Sequence, residues 1–335
     1  MLNSKDLVRR AIEFRNPEHI PYNFDSNRTP VIAEQYGDDF EWVFSRATGN
    51  AFPRALGNDR YVNEFGVVYQ HFGPTFGEAK EHPLARLENV GTYQLPDFSL
   101  SNRFADMEQV VREKPDKYIL GMFPHFLFQQ MLDLFGFENF MIALLNERKA
   151  VDIIADRLTE SCARMVDCFA ERGANGMIAI EDLGLQHQLI IAPTLWREVF
   201  KTRMAAVVRR CHERGMHFFV HSCGGLLDVI EDFVEIGVDV LQIDQQDNMG
   251  IDDLARRFAG RLCFFCPVDI QTTLPVGSAE EITSKAKHLM KAFGCKGGGF
   301  MAKTYPQPDA IRIPEENTKV MCEAFRTFGR YPFRF

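Results

Sequence analysis

Apolar residues recur along this chain in two alternating patterns, one with helical spacing and one as short unbroken runs. From residue 151 onward, Val151, Ile154, Leu158, Cys162, Met165, Val166 and Phe169 are spaced for a helix with one buried face. The run Gly176-Met177-Ile178-Ala179-Ile180 follows and reads as a buried strand, ending at Glu181-Asp182. After Pro193, the positions Trp196, Val199, Phe200, Met204, Val207, Val208 and Cys211 return to helical spacing. Residues 216–220 then form the next strand, ending at His221-Ser222-Cys223-Gly224-Gly225. The alternation continues with helix 226–236 and strand 238–243, helix 251–258 and strand 262–265, and helix 279–293 and strand 299–302. A closing helix opens at Pro314-Glu315-Glu316, where proline suits a first turn.

Strand, helix, strand at this pitch means parallel strands joined by crossover helices. A doubly wound sheet usually carries a Gly-rich phosphate loop after its first strand, and no GxGxxG occurs here. Gly297-Gly298-Gly299 precedes a strand instead of opening a helix, which suits a turn. The expected fold is therefore α/β: a single (β/α)8 TIM-type barrel, with residues 1–335 as one domain, a length such a barrel can occupy. Toward the N-terminus, the pattern predicts a helix over 4–14 and strands at 20–24 and 118–123. The polar, Gly-containing stretch 50–103 reads as an N-terminal insertion over the barrel mouth.

Composition narrows the partners. A net charge of −8 argues against nucleic acid, which demands a clustered basic surface. No apolar run approaches the roughly 20 residues of a membrane span, and Met1-Leu2-Asn3-Ser4-Lys5-Asp6 lacks the apolar core of a signal peptide. A cytoplasmic protein with unpaired thiols is expected. Phenylalanine is abundant at 30 residues, and Phe123, Phe126, Phe128, Phe135, Phe137 and Phe140 fall close together. That group suits either core packing or a wall around a flat apolar ligand.

In a barrel, side chains at the ends of different strands converge on one pocket. The polar residues there are Asn23, Asp25, His125, Glu181, Asp182, His221, Cys223, Asp244, Gln245, Cys266, Asp269 and Gln271. His221 and Cys223 carry the sharpest signal. Residues two apart on a strand share a face, and imidazole and thiolate are zinc ligands. A buried His and Cys satisfied by their neighbours is the plain alternative. Catalytic zinc takes three protein ligands, and Cys266 is the further cysteine at a strand end, with Glu181 as its competitor or a fourth ligand. Glu181 and Asp182 put two carboxylates on the same rim, suited to acid–base work or to orienting the histidine; loop fixing is the structural alternative.

These segments resemble the uroporphyrinogen decarboxylase superfamily. The likeness rests on Glu181-Asp182-Leu183-Gly184, Ala192-Pro193-Thr194-Leu195-Trp196-Arg197-Glu198, His221-Ser222-Cys223-Gly224-Gly225, Val268-Asp269-Ile270-Gln271 with Leu274-Pro275, and Gly298-Gly299-Phe300 followed by Pro314-Glu315-Glu316-Asn317. The resemblance implies either cofactor-free porphyrinogen decarboxylation or zinc-dependent methyl transfer to or from a corrinoid. The decarboxylase branch carries an arginine-rich segment after its first strand. Here that region reads Pro21-Tyr22-Asn23-Phe24-Asp25-Ser26-Asn27-Arg28, with one arginine. The methyltransferase branch carries His-x-Cys, as here, and takes a third zinc ligand from a later loop. In this chain that loop is Lys303-Thr304-Tyr305-Pro306-Gln307-Pro308, without cysteine.

The resemblance and the residues together point to a zinc methyltransferase component acting on a small-molecule methyl donor or acceptor, with an aryl methyl ether favoured. No Asp-x-His-x-x-Gly signature is present, so the corrinoid (cobalamin) is expected on a partner protein. A decarboxylase-like lyase and a non-catalytic, zinc-stabilised binding barrel are the rival readings.

Overall fold

The computed structural model describes residues 2–24, 30–46, 53–72 and 77–335. Eight parallel strands form the central sheet: β1 (Tyr22–Asn23), β2 (Phe40–Phe44), β7 (Tyr118–Met122), β8 (Gly176–Ile180), β9 (His217–His221), β10 (Val240–Gln242), β11 (Cys263–Cys266) and β12 (Phe300–Lys303). Their order around the sheet is β1-β12-β11-β10-β9-β8-β7-β2, with every adjacent pair parallel. Asp39 bridges the remaining seam between β1 and β2. Its amide donates to the Tyr22 carbonyl at 2.8 Å, and its carboxylate accepts the Tyr22 N–H at 2.8 Å. The fold is a (β/α)8 barrel.

Side-chain alternation along the strands makes two cores. Inside the barrel pack Phe40, Tyr118, Leu120, Ile178, Phe219, Val240, Cys263, Phe265 and Met301, with Trp42, Met122 and Ile180 above them. The other strand face packs against the helices. The helix Arg148–Glu171 lays Val151, Ile154, Leu158, Cys162, Met165, Val166 and Phe169 onto that layer, the face its spacing predicts. The helices Ile251–Phe258 and Ala279–Phe293 have the bounds that periodicity assigns, the second opened by a Ser278–Glu281 capping box. The helical stretch after Ala192 begins as α at Pro193–Trp196, passes through a π-type turn at Arg197–Lys201 and resumes at Thr202–Glu213.

The insertion leaves the barrel after β2, on the side where strands end. It contains an antiparallel sheet of β3 (Arg54–Gly57), β4 (Arg60–Val62), β5 (Val68–Gln70) and β6 (Glu78–Glu81). It docks on the helix Leu127–Phe135, where Asp133 accepts the Tyr69 hydroxyl at 2.8 Å and His82 Nδ1 meets the Asp133 carbonyl at 2.7 Å. Five of the six clustered phenylalanines are buried and Phe137 is exposed, so the cluster is core packing, without a ligand wall. No helix among the described residues is long and apolar enough to cross a membrane.

Candidate metal centre

Strand parity builds the site. Ile178 and Ile180 of β8 face the barrel interior, as do Phe219 and, by register with Ile180, His221 of β9. Asp182 and Cys223 stand two residues beyond Ile180 and His221. His221 Nε2 lies 3.7 Å from Cys223 Sγ and 3.7 Å from Asp182 Oδ1. One potential ligand atom from each of the three lies within 4.8 Å of the others, the one such group among the described residues.

The loops after β8 and β9 are fastened to each other. Asp182 Oδ1 accepts the Cys223 N–H at 2.9 Å, and Ser222 Oγ accepts the Leu183 N–H at 3.0 Å. Gln245 Oε1 takes the Gly224 N–H at 2.6 Å, and the Leu185 carbonyl takes the Gly225 N–H at 2.7 Å. Gly224 has φ +77°, and a Cβ there would stand 2.2 Å from the Leu185 carbonyl oxygen. Only glycine lets the two loops meet this closely.

The donors suit zinc. Two bonds of about 2.0–2.3 Å at a tetrahedral angle set ligand atoms roughly 3.5 Å apart, close to the spacings above. Burial pushes the Cys223 thiol up, and the Asp182 and Asp244 carboxylates add to it. A divalent cation reverses that balance and takes the thiolate. His221 Nδ1 is buried with no hydrogen-bond partner, so the ring's polar contacts all lie on the Nε2 side.

Two residues expected at this centre lie elsewhere. Cys266 packs in the layer between strands and helices, because Cys263 and Phe265 take the inward positions of β11. The apolar pattern ends the strand at Phe265 and leaves Cys266 as a loop residue; as the strand's last residue Cys266 instead follows the alternation and points away from the axis. Glu181 is fully buried on the helix side, with its oxygens accepting the N–H groups of Phe128 at 2.9 Å and Gln129 at 3.0 Å. It caps the helix Leu127–Phe135.

The other strand-end residues divide similarly. Asp269 is buried and fixes its own turn through the Thr272 and Thr273 amides. Gln271 pairs with Gln186 at the surface, and His125 is tied to Asp133. Asn23 accepts the Trp42 indole N–H at 3.2 Å. Asp25 and Arg28 lie outside the described residues. Asp244 faces the centre and forms a buried ion pair with Lys303, Nζ to Oδ1 2.6 Å. Sequence reasoning missed Lys303, since the apolar run of β12 stops at Ala302. It also missed Tyr305, whose hydroxyl is pushed up to about 12 by burial and the nearby Asp244, Cys223 and Asp182.

Comparisons place the chain among known proteins. A family model described as Uroporphyrinogen decarboxylase (URO-D) matches residues 73–328. No curated protein matches the chain. Among solved structures, a methyltransferase from Methanosarcina mazei superposes with a TM-score of 0.72 at 16% identity, covering 98% of this chain and 99% of that one. A β-mannanase from the blue mussel Mytilus edulis gives a TM-score of 0.46 at 9% identity, covering 95% of each chain.

Proposed function

The chain belongs to the uroporphyrinogen decarboxylase family, and from that premise we propose that it is a zinc-dependent methyltransferase component. It moves a methyl group between a small substrate, best matched by an aryl methyl ether, and a corrinoid carried by a partner protein. Residues 1–335 act as one barrel unit. The observation that carries this reading is the convergence of Asp182, His221 and Cys223 at the strand ends, with ligand atoms within 4.8 Å of one another. The likeness to the Methanosarcina mazei methyltransferase over nearly the whole of both chains supports it.

Asp182, His221 and Cys223 would hold the zinc. Bound there, zinc supplies Lewis acidity at the substrate oxygen. The protein's own groups do the rest. Asp182 holds the Cys223 backbone as well as offering a ligand oxygen, so both thiol and carboxylate are preset. Trp42, Met122 and Ile180 form an apolar floor beside the metal ligands. Burial and the nearby Asp244, Cys223 and Asp182 push the Tyr305 hydroxyl up to about 12, so it stays a hydrogen-bond donor at neutral pH.

Charge weighs against the decarboxylase alternative. A porphyrinogen carries many carboxylates and calls for several cations, whereas among the described residues Lys303 is the single buried cation at this centre. The test combines zinc analysis with a corrinoid assay. Purified protein is expected to carry close to one zinc per chain. With a reduced corrinoid protein and an aryl methyl ether it should change the visible absorption of the corrinoid on methylation. Response only to methyl thiols or methylamines keeps methyl transfer and removes the ether. Carbon dioxide release from a porphyrinogen without corrinoid methylation overturns the reading.

A further inference from the structure

Lys303 is the last residue of β12, in register with Asn23 and two positions beyond Met301, which packs inside the barrel. Its side chain therefore points toward the axis at the barrel mouth. The residue is 4% exposed and Asp244 is 1% exposed. An ammonium group has three N–H donors. Among the described residues, the acceptor they meet is the Asp244 carboxylate, at 2.6 Å. A buried ammonium that spends one donor of three is under-used, since each buried donor without an acceptor is costly.

Its surroundings indicate what the spare donors address. Lys303 is bonded to Asp244, which stands two residues beyond the partner of His221 on β10, so the ammonium shares the inward face of the barrel mouth with the metal ligands. Gln242 sits in register with His221 on the same face, and its Nε2 is buried without a partner. Among the described residues, the side of the centre toward β10 and β12 thus presents donors from two strands, with Asp244 as the acceptor for Lys303 and none for the Gln242 amide. Asp244 balances the resident charge and leaves the outward N–H groups of Lys303 free.

We propose that Lys303, positioned by Asp244, forms an oxyanion subsite that takes the oxygen of an aryl oxide, with the Gln242 amide as a second donor. This deepens the methyl-transfer reading and rests on it for the catalytic role. When the methyl carbon–oxygen bond breaks, the electron pair stays on the aryl oxygen and the methyl group passes to the reduced corrinoid of the partner. Lys303 meets the negative charge on that oxygen with a charge-assisted hydrogen bond. The product takes its proton from water on release, and Lys303 remains an ammonium.

A chromophoric phenol tests the subsite without any corrinoid. With 4-nitrophenol as probe, the ionised form has its own visible band, so the ionisation midpoint of the bound phenol can be read directly. In chelator-treated wild-type protein an opposite charge should lower that midpoint by about 1–3 pH units. Lys303→Arg should keep most of the shift. The double variant Lys303→Met/Asp244→Asn removes both buried charges together, which spares the fold an unpaired carboxylate, and should lose the shift. No binding of the phenol to wild type, or an equal shift in the double variant, overturns the proposal. Wild type that lowers the midpoint yet never methylates a corrinoid keeps the subsite and drops methyl transfer. In an active enzyme, the double variant should slow poor leaving groups more than nitro-substituted ones; a uniform loss removes the catalytic role.

Discussion

Glu181 and Asp182, consecutive in the chain, serve opposite sides of the barrel wall: Glu181 caps the helix Leu127–Phe135, and Asp182 meets His221. Burial pushes the Glu181 carboxyl up to about 8, against the pull of the two backbone donors. An acid raised above its ordinary value of 4.5 holds its proton longer folded than unfolded. Stability should therefore fall as pH rises from about 4.5 to about 8, by up to roughly 1.4 kcal/mol per pH unit from this one group. Glu181→Gln should flatten that slope in denaturant unfolding and leave zinc content unchanged. Equal slopes in the two proteins would mean that the Phe128 and Gln129 amides hold Glu181 as a carboxylate throughout.

Much of this fold was legible in the chain, and the limits have physical causes. From residue 148 onward each strand is buried on both sides and each helix on one, so the two periodicities separate cleanly. β2 (Phe40–Phe44) was invisible because Glu41 interrupts its apolar run, and that glutamate is satisfied only in three dimensions, by Lys114. The site was half legible. His221 and Cys223 share a strand end in sequence as in space. Asp182 reads in sequence as a rim carboxylate, but its place at the centre follows from the parity of β8. Cys266 is eligible in sequence only as a loop residue after the strand; within β11 the alternation with Cys263 and Phe265 turns it outward.

The ligand set divides by zinc content. Asp182→Ala, His221→Ala and Cys223→Ala should each lose more affinity than the roughly 10–100-fold that removal of an outer partner costs. Cys266→Ala should keep its zinc, since its thiol lies in the helix-side core. That variant should instead show a small loss of stability from lost packing. Full zinc in Asp182→Ala would exclude Asp182 as the third ligand.

The barrel seam depends on one side chain. Asp39 accepts the Tyr22 N–H with one oxygen and the Ser4 hydroxyl with the other, at 2.8 and 2.6 Å. Asp39→Ala leaves a buried amide without an acceptor and should cost about 2–3 kcal/mol. Denaturant unfolding measures it. A loss below about 0.5 kcal/mol would show that the Asp39 backbone bridge alone closes β1 to β2.

The final prediction concerns Gly224, the residue that makes the His-x-Cys pair usable. Its φ of +77° already disfavours a side chain, and the left-handed backbone alone costs about 1–3 kcal/mol for a residue other than glycine. Space is the harder limit. A Cβ would meet backbone atoms of Gly184 and Leu185 at 2.2–2.5 Å, and neither is the far end of a flexible side chain. In Gly224→Ala one loop must therefore retreat. The loop after β9 carries Cys223, the loop after β8 carries Asp182, and the bond between them is the Cys223 amide to Asp182 Oδ1. Parting the loops separates two of the three ligands while His221, on the strand itself, stays in place. Zinc affinity should therefore fall at least tenfold, with the barrel still folded by circular dichroism. Gly215→Ala, also at positive φ but with open space around its Cβ, is the control and should lose stability without losing zinc. If Gly224→Ala binds zinc as wild type does, the contact between the two loops does not set the metal centre.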